Sequence, residues 1–375
     1  MSHHYAIFSA QYLPHVGGVE NFTANLAAQL VREGDQVTVV TSRLSAEQPE
    51  FETQANGVAV WRLPSRSLLN GRLPMLRKGA AFKKIRDALL AGTVDRVLVN
   101  TRFYALSLEG VRFAAEKGVP CVVLDHGSAY LTLGNAAADA AIRAYEHAVT
   151  DKLKSYGPTF AGISRKSCEW LETFGIETSL VIPNAIDAEA FRAESSGRDF
   201  RAELGAEDRM LVAFTGRLEP EKGAEELAQA AALLSDGYAV AMAGEGSLRA
   251  RIVGLGIANV RLLGNISHAD LSALLSQADV FCLPSRSEGF STALLEAAAW
   301  GLPIVTTDVG GAAEVADAGA AVRIISAPIT PQVLRESIIR VASGKRAGTA
   351  CIGLSWTETT RLLREGYRTD FRRLS

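Results

Sequence analysis

Cysteine is scarce in this chain, and neither sign of charge is in excess. The four cysteines, Cys121, Cys168, Cys282 and Cys351, include no pair at metal-ligand spacing, and Cys121 and Cys282 lie in apolar runs. Reduced core thiols are therefore expected, not a disulfide framework or a cysteine-bound metal. A formal net charge of −2 argues against bulk nucleic-acid binding. No apolar run approaches the roughly 20 residues of a membrane span. There is no Asp-X-Asp, no His-X-X-X-His and no serine in a nucleophile elbow, so neither a metal site nor serine catalysis is expected. Residues 1–4 carry no secretory leader ahead of the first apolar run, which gives a cytoplasmic expectation. Internal repeats and low-complexity tracts are also missing, although the Ala-rich segment 135–148 reads as one long helix.

What is present is alternation. Hydrophobic residues make up 48% of 375 residues, enough for two domains with sizeable cores. Short apolar runs predict strands at 5–9, 36–41, 58–62, 96–100, 120–124, 159–163 and 179–182. A helix is predicted at 20–32, with Gly34 closing it. The pattern restarts with strands at 210–215, 238–243, 260–263, 280–283, 303–307 and 321–325, and helices at 221–234 and 247–255. Strands alternating with helices imply parallel sheets covered on both faces. The boundary falls at 183–187 and the polar stretch running to about residue 209. The expected fold is α/β, with two Rossmann-like domains facing a central cleft: 1–185 and 188–355. The last segment, 356–375, reads as a helix packed across the domain junction.

The stretch 285–303 carries the most chemistry. Glu288 sits in the turn after an apolar strand, and Glu296 lies about one turn into the following helix. In a parallel sheet the carboxyl edge is where ligands bind. Carboxylates accept hydrogen bonds from hydroxyls and helix N-termini attract phosphate, so a nucleotide-sugar suits both. Gly216, Arg217, Lys222 and Gly223 follow the first strand of the second half. A lysine entering a helix opposes the macrodipole, which suggests a bound anion, and Arg217 with Lys222 suits a diphosphate. The alternative is two solvated cations. Gly17 and Gly18 after the first strand allow close backbone approach and a free helix start, or are simply a flexible turn. Gly244 and Gly246 offer the same choice. The turn from Gly264 to Ile266 is similar: its backbone could read a nucleobase edge, or it is simply a glycine turn. His126 ends a strand before a glycine, where imidazole can meet a sugar hydroxyl or the reacting centre; a structural histidine is the competing reading. Eight cations, Arg62, Arg66, Arg72, Arg77, Lys78, Lys83, Lys84 and Arg86, stand in a segment without acid between Glu52 and Asp87. Interleaved with leucines, they read as an anionic-membrane or anionic-acceptor surface, or as a solvated helix face.

Taken in order, Gly17, Gly18 and Glu20, His126, Ser164, 183–187, Gly216 and Arg217 with Lys222 and Gly223, Gly244 to Gly246, the Glu288/Glu296 pair and Ser355 with Trp356 match a known set. The chain resembles the retaining glycosyltransferases of family 4, the glycosyl transferases group 1, which have the GT-B fold. The resemblance runs nearly the whole length. It implies that Glu288, with the backbone of Gly289, Phe290 and Ser291 and the neighbouring Thr292, holds the donor sugar, and that Glu296 binds the ribose. Arg217 and Lys222 would hold the diphosphate, with N–H groups from Gly17 or Gly18. His126 would contact the sugar near the reacting carbon. Gly244 and Ile266 would lie on the nucleotide side. Ser164 reads as an N-cap, and Asn184 as a residue that shapes the linker. The C-terminal helix would cross back onto the first domain.

The implied activity is transfer of a hexose, with retention and without a metal, from a nucleotide-diphosphate sugar such as a UDP-sugar or GDP-mannose. The donor is a substrate, and no cofactor is expected. The acceptor would be a carbohydrate or lipid-linked molecule in cell-envelope polysaccharide or glycolipid synthesis, met at the inner face of the plasma membrane. The leaving phosphate would take the acceptor's proton, which leaves Glu288 no nucleophilic task. A nucleotide-sugar epimerase, a phosphorylase and a non-catalytic nucleotide-sugar sensor are the competing classes.

Overall fold

Short apolar runs become the strands of two parallel sheets, each in its own compact unit of the computed structural model. The structure describes residues 2–69, 73–132, 134–344 and 353–370. Unit 1 is residues 1–182 with 356–375, and unit 2 is residues 183–355. Arg72 and Cys351, singled out above, lie outside the described residues, while Cys121, Cys168 and Cys282 are free and buried.

Unit 1 contains β1 (His4–Ser9), β2 (Gln36–Arg43), β3 (Phe51–Thr53), β4 (Ala59–Leu68), β5 (Leu73–Leu76), β6 (Arg96–Asn100), β7 (Cys121–Asp125) and β8 (Thr159–Gly162). Their spatial order is β3-β4-β2-β1-β6-β7-β8, with β5 pairing on β4. All pairs are parallel except β3 with β4 and β4 with β5. The central strands read as near-continuous apolar runs because both faces are covered: Val97, Leu98, Val99, Val122, Val123 and Leu124 are fully buried. The first helix, Gly18–Arg32, buries Phe22, Leu26 and Leu30 at four-residue spacing, with Thr23 and Ala27 beside them. Each such large side chain contributes about 1.5–3 kcal/mol.

The C-terminal helix Trp356–Asp370 belongs to unit 1. Its apolar face buries Leu363 and Tyr367, and Tyr367 meets Tyr5 edge-on at 5.9 Å. Its polar face is tied to the end of the first helix: Arg364 pairs with Glu33 at 2.6 Å and Asp35 at 2.8 Å.

Unit 2 holds β9 (Met210–Thr215), β10 (Tyr238–Ala243), β11 (Val260–Gly264), β12 (Val280–Leu283), β13 (Ile304–Thr307) and β14 (Val322–Ile325). The order is β11-β10-β9-β12-β13-β14, all parallel. Helix Thr292–Ala299 packs Leu294, Leu295, Ala297, Ala298 and Ala299 into this core.

Several expectations change. The run 179–182 forms only a single bridge, Val181 to Gly162, because the chain passes β8 and leaves the sheet. The predicted helix 221–234 is a one-turn 3-10 helix, Pro220–Lys222, then Gly223 in the left-handed region, then Ala224–Ala231. The strand predicted at 58–62 continues to Leu68 and folds back as β5. The Ala-rich helix runs further than expected, Ala136–Lys154.

Candidate functional site

In unit 2 the chain winds outward from β9 through β10 to β11 on one side, and from β12 through β13 to β14 on the other. The sheet order therefore reverses between β9 and β12, which pair through Val212 with Val280 and Ala213 with Phe281. The carboxyl ends of strands at such a switch point leave a crevice suited to ligands. The loops 216–223 and 284–291 both start there.

Gly223 brings the two loops into contact. Its φ is +68°, and an added Cβ would fall on the Pro284 carbonyl oxygen, so only glycine fits. Lys222 then reaches Glu288, Nζ to Oε1 at 2.5 Å, with side-chain exposures of 18% and 12%. Ser285 Oγ donates to the same Glu288 oxygen at 2.7 Å. The backbone of Glu288 is held from behind: Gly310 N–H donates to its carbonyl at 3.2 Å, and Ser291 N–H donates to the Gly310 carbonyl at 3.1 Å. A Cβ at Gly310 would strike the Gly289 carbonyl.

This geometry corrects the reasoning about Lys222. It does not enter a helix; Gly223 ends its turn first, and its charge is met by Glu288. Lys222 therefore opposes no helix macrodipole, and its position calls for no bound anion on that ground. What the switch point holds is a poorly exposed acid–base pair. Arg217 is separate from that pair: it is 65% exposed and bonds Glu221 at 2.9 Å.

Gly289, Phe290 and Ser291 form the turn into helix Thr292–Ala299, with Ser291 at the N-cap position and Thr292 exposed. Phe290 packs on the core and against Gly311. Glu296, one turn in, has its own partner: His268 Nε2 lies 3.7 Å from Oε1, and His268 Nδ1 lies 3.0 Å from Glu194. The Glu296 carboxylate first, with Glu194 adding to it, raises the His268 pKa to about 9 despite partial burial. Gly244 N–H donates to the Gly264 carbonyl at 2.8 Å, joining the ends of β10 and β11 below Ile266, which packs on the core.

Unit 1 has its own reversal, between β1 and β6, where Ser9 stands opposite Asn100. Gly17 is the extended N-cap of the first helix, and Gly18 is its first residue. A Cβ on Gly17 would meet the Glu20 carboxylate, which is buried and pairs with His15 at 3.4 Å. His126 follows β7. Its Nε2 lies 3.1 Å from Asn100 Oδ1, and Phe22 meets the ring edge-on at 4.9 Å. Burial alone lowers the His126 pKa to about 3. Asp125 and Glu146 hold Arg102 at 3.2 and 2.8 Å, all three fully buried, and the Arg102 guanidinium lies 3.7 Å from the Phe174 ring centre. Ser164 caps helix Arg165–Glu172, accepting from Ser167 N–H at 3.1 Å. Asn184 Oδ1 accepts from the next residue's N–H, Ala185, at 2.9 Å.

Asn100, Ser285 and His268 were not singled out by sequence. Asn100 had a signal: a polar residue closing an apolar strand at the same edge as Ser9. His268 follows Ile266 at a helix start, where a helix cap is the ordinary explanation.

The basic segment divides. Arg62 is 2% exposed and pairs with Glu52, and Arg86 pairs with Glu109 and Glu116. Neither belongs to a free surface. Arg66, Arg77, Lys78, Lys83 and Lys84 are exposed: Arg66 on β4, Arg77 and Lys78 between β5 and helix Ala80–Ala91, and Lys83 and Lys84 on that helix. Among the described residues no helix is long and apolar enough to cross a membrane, and no group of acids, histidines and cysteines is placed to hold a metal.

Two family models match the sequence: Glycosyltransferase Family 4 over residues 16–190, and Glycosyl transferases group 1 over 196–352. The chain is 28% identical over 309 residues to a GDP-mannose-dependent alpha-mannosyltransferase of Mycolicibacterium smegmatis, covering 82% of this chain and 80% of that one. It is 27% identical to the putative teichuronic acid biosynthesis glycosyltransferase TuaC of Bacillus subtilis, over 80% and 75% of the two chains. It is also 27% identical to a D-inositol 3-phosphate glycosyltransferase of Kineococcus radiotolerans, over 94% and 90%. Among solved structures it is similar to a sucrose-phosphate synthase from Thermosynechococcus elongatus, with TM-score 0.69, 20% identity and coverage of 99% and 94%. Anabaena HepE in complex with UDP-glucose gives TM-score 0.65 at 18% identity, covering 99% of each chain. These structural likenesses give the fold, an α/β GT-B architecture with two Rossmann-like sheets.

Proposed function

Since the chain belongs to glycosyltransferase family 4, we propose that it moves a hexose from a nucleoside-diphosphate sugar to a carbohydrate or lipid-linked acceptor, with retention and without a metal. The observation that carries this reading is the Lys222–Glu288 pair at the β9/β12 switch point. A diphosphate takes Lys222 as its cation, and the released Glu288 accepts hydrogen bonds from sugar hydroxyls. One ligand with both groups satisfies both side chains at once.

In the reaction the anomeric C–O bond breaks and its electron pair goes to the leaving diphosphate. Lys222 and Arg217 meet that charge. The acceptor hydroxyl attacks the same face of the sugar and passes its proton to the leaving phosphate. Glu288, with the backbone of Gly289, Phe290 and Ser291 and with Thr292, orients the sugar, and Glu296 takes the ribose hydroxyls. Gly244 and Ile266 serve the nucleotide. From unit 1, Gly17 and Gly18 give N–H groups to phosphate and His126 meets the sugar beside the reacting carbon. Relatives named for GDP-mannose and for teichuronic acid synthesis support a nucleotide donor and a cell-envelope product. The exposed cations Arg66, Arg77, Lys78, Lys83 and Lys84 are assigned to an anionic membrane at its cytoplasmic face; sedimentation with phosphatidylglycerol vesicles, weakened by salt, is the check.

The deciding experiment measures nucleoside-diphosphate release from a panel of UDP- and GDP-hexoses with and without acceptor. Lys222→Ala and Glu288→Ala are expected to lower acceptor-dependent release by about 10²-fold or more while remaining folded. Undiminished transfer by both folded variants sinks the proposal.

A further inference from the structure

The residues behind His126 dictate which of its nitrogens carries the hydrogen. Thr23 has one hydroxyl proton, and it goes to the Val19 carbonyl at 2.7 Å, since the other acceptor in reach, Ser9 Oγ, is 3.4 Å away. Thr23 Oγ1 therefore accepts, and Asn100 Nδ2 donates to it at 2.8 Å. That fixes the Asn100 amide with Oδ1 toward the His126 ring at 3.1 Å. A carbonyl oxygen can only accept, so Nε2 bears the hydrogen and, in a neutral ring, Nδ1 bears none.

The ring is not charged by its neighbours. Asp125, the adjacent acid, is turned to Arg102, and Glu20 on the first helix is turned to His15. Burial is the cause that lowers the ring's pKa, to about 3. Ser9, Thr23 and Asn100 are each 1% exposed or less, so water does not compete for the chain of hydrogen bonds. Among the described residues Nδ1 has no hydrogen-bond partner.

We propose that Asn100, oriented by Thr23, is a positioning residue that fixes His126 as the Nε2–H tautomer, so that Nδ1 faces the ligand as an acceptor. The ligand group that meets His126 is then a hydrogen-bond donor, a sugar hydroxyl, and not a phosphate oxygen or a carbonyl. This rests on the reading that His126 contacts the donor sugar.

The test is nitrogen NMR of the full-length protein labelled in its histidine rings, with His126 assigned by loss of its signals in His126→Gln. The expected result is a pyrrole-type Nε2 and a pyridine-type Nδ1, with no titration between pH 8 and 5. Asn100→Asp is expected to hold the same ring protonated near neutral pH. Thr23→Val is expected to release the tautomer, while Thr23→Ser keeps it; this pair covers the case in which Asn100 variants fold poorly. Transfer should fall about 10²-fold in kcat in Thr23→Val and recover in Thr23→Ser. A hydrogen on Nδ1 in the parent, or an unchanged tautomer in folded Thr23→Val, overturns the assignment. The predicted tautomers combined with parental transfer rates in Thr23→Val overturn the role in the reaction. Both outcomes leave the function tested at Lys222 and Glu288 standing.

Discussion

The two sheets put their candidate residues at equivalent places and equip them in opposite ways. In unit 2 the switch point between β9 and β12 carries ions that answer one another: Lys222 with Glu288, and His268 with Glu296 and Glu194. In unit 1 the switch point between β1 and β6 carries neutral groups in a fixed order of donors and acceptors, Ser9, Thr23, Asn100 and His126, walled by Phe22. Unit 1 also holds ions, but these are paired among themselves: Arg102 is sealed between Asp125 and Glu146, and Glu20 faces His15. Under the proposed function the difference would separate two tasks: a phosphate-bearing ligand would meet charges able to change partners, and a reacting sugar would meet a ring whose protonation does not vary.

The largest effect should come from the sealed ions. Arg102→Met strands two buried carboxylates and should cost about 3–5 kcal/mol of stability by denaturant titration. A loss near zero would mean that unit 1 does not depend on its sealed ions. In unit 2, Lys222→Ala should lower kcat by about 10²–10³, the scale of a lost oxyanion-stabilising donor. If Lys222 only braces Glu288, Glu288→Gln in the Lys222→Ala background will restore stability without touching the rate.

His126 sharpens the contrast through pH. The folded ring stays neutral down to about pH 3, whereas the unfolded chain takes up a proton below about pH 6.5. Folding stability should therefore fall as pH drops from 6.5 toward 3, and His126→Phe should blunt that fall in melts at pH 7 and 5. His268 has the reverse sign: its pKa is raised to about 9, so its bridge stabilises fully below about 6.5 and is lost as pH rises through 9. His268→Asn should raise the donor KM severalfold at pH 7 with kcat little changed, and the gap should close above pH 9. The smallest effect on stability belongs to Arg217. Its pair with Glu221 is mostly exposed, so Arg217→Gln should shift stability by about 0–1 kcal/mol while donor KM rises.

The strands of both sheets were legible because parallel strands covered on both faces are plain apolar runs. Helix 221–234 was misread for a local reason: Glu221 and Lys222 are good helix formers, and nothing in the letters shows that Gly223 must turn left-handed to clear Pro284. Only the ends of the basic segment differ from a free surface: Arg62 is buried against Glu52, and Arg86 pairs with Glu109 and Glu116, partners that the run of cations does not reveal. Lys222, Glu288 and Glu296 were all named from sequence. Which of them touch was not, since contact depends on β12 lying beside β9, where Val280 pairs with Val212 far back along the chain. Asn100 escaped notice because its importance lies in what stands behind it.

Gly223 has a bearing on engineering. Because the turn it closes rests on the Pro284 carbonyl, residues 216–223 and 284–296 behave as one part in two pieces. A chimaera spliced anywhere between 224 and 283 draws those pieces from different parents, and it will work only where both parents make the same fit. Donor preference should thus be grafted by exchanging the two segments together, with crossovers placed before 216 and after 296.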